Sequence, residues 1–157
     1  MAELIGKDGK ELVRHGTVDF PCSVCGSSGG GFPWHWHEEL EMLYVQTGTL
    51  VFAAANQRYV LTAGDGMVVN ANVPHAVFAQ GNAQYEECDI EFLPSLIYGS
   101  EESAFFDEYF RLFLQNAAWE GVPLYQTVAW QNEAAKDILR ACTLFTQKPA
   151  LYEFRVR

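Results

Sequence analysis

A chain of 157 residues with ten Lys and Arg against twenty Asp and Glu carries a formal charge of −10 and a pI near 4.7. Nucleic-acid binding needs cationic side chains that displace counterions from phosphates, so this balance argues against a DNA-binding surface on the chain itself. Hydrophobic residues at 49% suffice for one buried core, whereas no apolar run approaches the roughly 20 residues of a membrane span. The N-terminal segment lacks the basic stretch and long apolar core of an export signal, which leads to the expectation of a cytoplasmic protein with no membrane partner.

Residues 1–33 read as an irregular lead-in that ends in a glycine-rich loop at 26–31. Within it Cys22 and Cys25 have the spacing of half a zinc knuckle or a redox pair. No second pair follows and no βαβ helix opens there, so neither chemistry is expected. Residues 34–93 read as strands separated by short turns, the pattern of an all-β sandwich or barrel. The spacing predicts one long strand over 35–46, a turn at Gly48, and strands over 50–55, 58–61, 67–69 and 75–79. A last strand over 85–92 sets Cys88, Ile90 and Phe92 on one face and Glu87, Asp89 and Glu91 on the other, which predicts a sheet wet on one side.

After Pro94 the apolar period lengthens to three and four residues. It predicts a helix over 100–116, a short strand over 124–128, and a helix over 133–147 capped by Asn132. Residues 94–157 thus form a helical segment. Cys88 and Cys142 lie among apolar residues and read as core. Pro149 opens a last helix that reaches Arg157 without a stop signal, which predicts that the native polypeptide continues.

The chemistry lies at 35–41. His35, His37 and Glu41 share one strand parity and point to one face, continued by Leu43 and Val45 as apolar lining. Two imidazoles and a carboxylate suit a divalent transition metal such as Zn, Ni or Fe, and His75, at the start of a later strand, is the candidate fourth ligand. The same four residues equally suit hydrogen bonds to an effector without a metal. His15, the remaining histidine, lies in the lead-in without such context.

His35-x-His37, Glu41 and Gly48 match the first cupin motif, and Gly64, Asp65, Pro74 and His75 resemble the second. Asn70 and Asn72 replace that motif's usual proline and glycine, and Ala79 replaces its final asparagine. The resemblance to the cupin superfamily implies a mainly β fold. It would be a double-stranded β-helix, or jelly-roll-like, barrel with His35, His37, Glu41 and His75 converging in its mouth and α-helices following.

A narrower resemblance rests on residues 33–45, residues 63–75 and the following helices. It is similar to the N-terminal effector-sensing and dimerisation domain of AraC-type transcriptional regulators. That likeness implies a small-molecule effector in the barrel, a homodimer formed through residues 94–157, and DNA bound only by a helix-turn-helix domain farther on. It also implies no catalysis. A sugar is one candidate effector, since Trp34, Trp36, Phe52, Tyr59 and Phe78 offer rings, although aromatics in a small barrel are more often core. The alternative is a free-standing metal-dependent cupin enzyme, a dioxygenase or isomerase. For that role the sequence lacks a recognisable acid/base partner, Arg58 and Tyr59 being the nearest candidates.

Overall fold

One strand organises the molecule. In a computed structural model that describes residues 4–116 and 119–157, Leu40–Ala54 runs through both layers of an antiparallel barrel. We number the strands β1 Cys22–Cys25, β2 Phe32–His35, β3 Leu40–Ala54, β4 Gln57–Thr62, β5 Gly66–Val69, β6 His75–Ala79, β7 Tyr85–Phe92 and β8 Gly121–Leu124. The first half of β3 pairs with β5 and β7, giving the sheet β1-β7-β3-β5-β8. Its second half pairs with β4 and β6, and β2 joins β6.

Gly48 was expected to be a turn, but the strand passes straight through it. The register with β7 shifts between Val45 and Thr47. Gly48 then takes φ +74°, where a Cβ would overlap the Gln84 carbonyl. Only glycine adopts that conformation without strain, and the bend it allows carries β3 from one sheet into the other.

The two faces of the first sheet bury different things. Inside the barrel, Leu43, Val45, Leu50, Phe52, Leu61 and Met67 form a dry base. Outside, Cys22, Leu40, Cys88, Ile90 and Phe92 pack beneath Ala135, Ile138 and Cys142 of a long helix, Ala129–Gln147. Short helices Ser95–Tyr98 (α1) and Arg111–Gln115 (α2) precede that helix (α3), and Tyr152–Val156 (α4) follows it. α2 continues from a π-helical turn at Phe106–Phe110.

Because α3 covers the apolar side of β7, that sheet is not wet on one side. Glu87, Asp89 and Glu91 point into the barrel and are themselves buried. Their alternation was legible; its direction relative to solvent was not.

Other elements shift for identifiable reasons. The strand expected over 35–46 is interrupted at 37–39, where the chain leaves the β2–β6 layer and enters β3. The lead-in contains β1, which pairs with β7 through four residues, a run too short to show a period. The helix expected over 100–116 is divided into the π-turn and α2, and α1 lies before it. The extra strand falls at Gly121–Leu124, beside β5, rather than over 124–128.

α3 begins one turn before Asn132, with Val128 as its uncapped N-terminal residue. It stops where Lys148 turns left-handed and its N–H bonds the Leu144 carbonyl at 2.9 Å. No described helix is long and apolar enough to cross a membrane.

The departures from the second motif have structural roles. Asn72 sits at φ +62°, a left-handed position that asparagine tolerates in place of glycine. Asn70 is buried, and its amide donates to the carbonyls of Phe113 (3.3 Å) and Trp119 (3.2 Å), tying the helical segment to the barrel. Asp65 accepts from Thr62 N–H and Oγ1 (both 2.8 Å) and from Gln126 N–H (2.9 Å), fixing the turn and the approach to α3.

Candidate metal centre

His35 ends β2, His37 lies in the link that follows, Glu41 is the second residue of β3, and His75 opens β6. All four are buried. His35 and His75 are direct cross-strand partners, with ring centroids 4.1 Å apart. One ligand atom from each of the four lies within 4.8 Å of the other three.

The tetrad forms through strand pairing as well as parity, since His35 and His37 do not share one continuous strand. Phe52 lies parallel to the His75 ring at 5.8 Å, and Phe32 meets His35 edge-on at 4.6 Å. These apolar neighbours limit the rings' freedom to turn.

Backbone carbonyls set the orientation of every ring. His35 Nδ1 lies 2.9 Å from the Pro33 carbonyl, His75 Nδ1 2.8 Å from that of Val73, and His37 Nδ1 3.2 Å from that of Glu39. A carbonyl only accepts, so each Nδ1 carries the proton and donates, leaving Nε2 as the free nitrogen. This is the outer hydrogen bond that metal-binding histidines ordinarily make.

Glu41 Oε2 lies 2.8 Å from His75 Nε2 and 3.3 Å from His37 Nε2. Despite that proximity, His75 Nε2 is buried without a hydrogen bond of acceptable geometry. Lone pairs on Nε2 and on a carboxylate repel unless a proton or a metal cation stands between them. The donor set therefore fits a divalent cation, which two or three neutral imidazoles and a carboxylate could hold.

The charges respond accordingly. Burial opposes protonation of His75, but the Glu41 carboxylate outweighs it and raises the pKa. Burial likewise opposes ionisation of Glu41, and the adjacent His75 and His37 reverse it, holding this carboxyl well below its usual range. His35 is lowered, by burial first and then by His75.

Beside the tetrad lies a second group that the sequence did not suggest. His15 is buried between two carboxylates. Its Nε2 is 3.3 Å from Glu11 Oε2, and its Nδ1 contacts Glu91 Oε2 directly and Ser23 Oγ at 2.9 Å. Ser23 Oγ donates to the same Glu91 oxygen at 3.0 Å. Burial would lower the His15 pKa, yet Glu11 and Glu91 raise it to about 10, so an imidazolium is held at neutral pH.

Glu11 Oε2 also stands 3.8 Å from His35 Nε2, linking the two groups. The lead-in reaches this position because Lys10 bridges to Trp36 and Glu11 N–H donates to the Trp36 carbonyl at 2.9 Å. No local pattern around His15 announces that non-local pairing.

A cavity of about 220 Å³ adjoins both groups, lined by Glu11, Phe32, His35, Glu41, Leu43, Val77, Glu87, Asp89 and Glu91 among others. A larger cavity of about 500 Å³ lies between the outer face of the sheet, the π-turn and α3. It is mostly apolar and contains none of the four residues. The polar groups make the smaller one the candidate site.

In its wall Glu87 accepts the Ser27 N–H at 2.7 Å through Oε1, and the buried carboxyls of Glu87 and Asp89 hydrogen-bond each other, which requires a proton on one of them. Burial, with the neighbouring carboxylates adding to it, pushes Asp89 well above its ordinary range. Glu87 is also raised, chiefly by burial.

The remaining candidates lie elsewhere. Trp34 and Arg58 are exposed, and Trp36 lies beneath the Lys10 ammonium at 5.3 Å. Trp34, Trp36, Phe52, Tyr59 and Phe78 are not among the residues lining the smaller cavity, whereas Phe32 is. Cys22 is in the core and Cys25 is exposed, both as free thiols. Burial, with Glu91 adding to it, raises Cys22 to about 12 and Cys25 higher still, which works against thiolate chemistry.

Residues 25–89 match the family model described as the cupin domain. Over 98% of its length the chain is 24% identical to the uncharacterized HTH-type transcriptional regulator YdeC of Bacillus subtilis (strain 168). It covers 53% of that protein, and so spans about half the length of the curated relative it matches.

Among solved structures, a cupin-like protein from Thermotoga maritima aligns with a TM-score of 0.45 and 20% identity, over 48% of this chain and 59% of that one. A predicted oxalate decarboxylase from the same organism aligns with a TM-score of 0.41 and 23% identity, over 46% and 65%. The fold is a mainly β, cupin-like antiparallel barrel followed by C-terminal helices.

Proposed function

We propose that the chain is the effector-sensing module of an AraC-type transcription regulator. A small molecule would bind in the barrel beside a divalent metal held by His35, His37, Glu41 and His75. The observation that carries the metal is the common orientation of the three imidazoles, each with Nδ1 at a backbone carbonyl and Nε2 left as the ligand atom beside a carboxylate. A bound divalent ion supplies a Lewis-acid position that can hold an oxygen or nitrogen of the effector.

The chain's own residues do the rest. The carbonyls of Pro33, Val73 and Glu39 fix the rings, the dry base of the barrel keeps bulk water out, and Glu11 and Glu91 hold an imidazolium at His15. Similarity along nearly the whole chain to about half of an HTH-type regulator supports the regulatory role, with DNA contacted by a separate domain. Residues 1–33 cover the mouth and supply β1 to the sheet, 34–93 form the barrel core, and 94–157 supply β8 and the helical unit through which two copies associate. Exposed Tyr109, Leu112, Trp130 and Phe154 on that unit support the last assignment.

A metal-dependent enzyme is the second reading. What favours it is Asp89, whose raised pKa near the histidines is that of a proton donor the sequence seemed to lack.

One comparison separates the two. The polypeptide extended beyond residue 157 is expected to protect a specific DNA site in footprinting, while the 157-residue chain gives no gel shift at low salt. DNA retention by this chain alone, or robust metal-dependent oxygen uptake, would overturn the regulatory reading.

A further inference from the structure

Three of the four cysteines meet at one edge of the molecule, away from the tetrad. A cavity of about 370 Å³ lies between the end of β1, β7 and the C-terminal half of α3, and Cys25, Cys88 and Cys142 all line it. Its rim is exposed at Thr143, Thr146 and Gln147, whereas Cys88 and Cys142 are only 9% and 3% exposed. The pair thus belongs to the apolar layer under α3 and still borders a space open to solvent.

The two buried thiols are in hydrogen-bond contact, Cys142 donating to the Cys88 sulfur. That bond holds the Cys88 thiol below its ordinary range against the opposing effect of burial. It pushes Cys142, which burial also raises, well above. Cys25 is not equivalent. Its Sγ donates to Glu91 Oε2 at 3.7 Å, and burial together with that carboxylate raises it. Cys88 is therefore the nucleophile of the three, and Cys142 is the sulfur beside it. Contact between two sulfurs is the starting geometry that a disulfide needs.

We propose that Cys88 and Cys142 are a peroxide-reactive dithiol whose disulfide fastens β7 to α3. The Cys88 thiolate attacks one oxygen of a hydroperoxide. An S–O bond forms, the O–O bond breaks, and the leaving hydroxide or alkoxide takes the proton that Cys88 gave up. The Cys142 sulfur then attacks the sulfenic sulfur. The S–S bond forms, the S–O bond breaks, and hydroxide departs as water with the Cys142 proton. The two thiols together lose two electrons, and the peroxide gains them. This chemistry needs neither the metal nor an effector.

The test is mass spectrometry of the reduced chain after brief exposure to hydrogen peroxide, with free thiols alkylated in denaturant. The expected product has lost two hydrogens and keeps two of its four cysteines open to alkylation. It should yield one cross-linked peptide pair carrying Cys88 and Cys142, and dithiothreitol should restore all four thiols. This map needs no variant, so it stays decisive even if a substitution at either position loosens the core. In Cys142→Ser, dimedone should label Cys88 as its sulfenic acid, with no cross-link. Cys25→Ser should cross-link at a rate within about twofold of the wild type. The oxidised wild type should melt several degrees higher, and amide exchange in the C-terminal half of α3 should slow about tenfold or more.

A cross-link that includes Cys22 or Cys25 overturns the proposal, as do four alkylatable thiols after exposure. Oxygen added to Cys88 of the wild type without a disulfide also overturns it. A Cys88–Cys142 bond that forms as fast in the denatured chain as in the folded one, or that leaves exchange in α3 unchanged, does the same.

Discussion

Glu41 and Glu91 are direct cross-strand partners in the β3–β7 ladder, both buried. Like charges placed opposite each other destabilise a sheet, and here neither has water to screen it. The barrel compensates them separately, Glu41 with His37 and His75, and Glu91 with His15. Two imidazole–carboxylate groups therefore share one barrel, and each can be probed by removing its own histidine.

For the first group, untagged protein purified without added metal is expected to carry about one equivalent of a divalent transition metal. His75→Ala should reduce it below about 0.1 equivalents while the far-ultraviolet circular dichroism stays that of a β protein. Elemental analysis of both proteins decides it. A wild type as poor in metal as the variant removes the metal from the site.

For the second group, the pH dependence has a defined sign. The folded-state pKa of His15, raised to about 10, lies above its ordinary value of 6.5. The stabilisation is therefore fully present below about pH 6.5 and is lost as pH rises through 10. In chelator-treated protein the wild-type melting temperature should fall by several degrees across that window relative to His15→Gln. Parallel curves for the two proteins would mean that His15 is not held as the cation.

Gly48→Ala tests the bend in β3. The positive φ and the Gln84 carbonyl leave no room for a methyl group. The substitution should cost about 2–4 kcal/mol in denaturant unfolding. A cost below about 1 kcal/mol would show that β3 can bend elsewhere.

The helical layer offers a paired test. Ile138, 5% exposed on the buried face of α3, should cost about 2–4 kcal/mol when changed to alanine. Leu112 is 77% exposed, and Leu112→Asp should leave stability within about 0.5 kcal/mol. If residues 94–157 dimerise, the same change should convert a dimer to a monomer in light scattering at tens of micromolar. A wild type that is already monomeric at that concentration counts against the dimer.

Motif spacing selected four residues that the fold does bring together, although the reason given for His35 and His37 was incomplete. A shared strand parity was assumed, whereas the chain changes layers at 37–39 and His35 reaches its place through pairing with His75. For β7 the period of two was plain, but which side meets water depends on α3, more than 35 residues away in the chain. The apolar stripe Ala135, Ile138 and Cys142 was visible, and setting it against Cys88 and Ile90 would have turned the acids inward.

His15 was beyond sequence reasoning. Its partners Glu11 and Glu91 meet only because the lead-in pairs with Trp36 and β1 pairs with β7. Neither contact leaves a periodic trace.

The alternation along β7 has a mechanical consequence. Glu87, Asp89 and Glu91 line the cavity while Cys88 and Ile90, on the same backbone, bear on the α3 side of the sheet. The polar chamber and the helical layer are thus two sides of a partition one strand thick. With no cushioning layer between them, any displacement of that strand's backbone reaches the chamber and the base of α3 together.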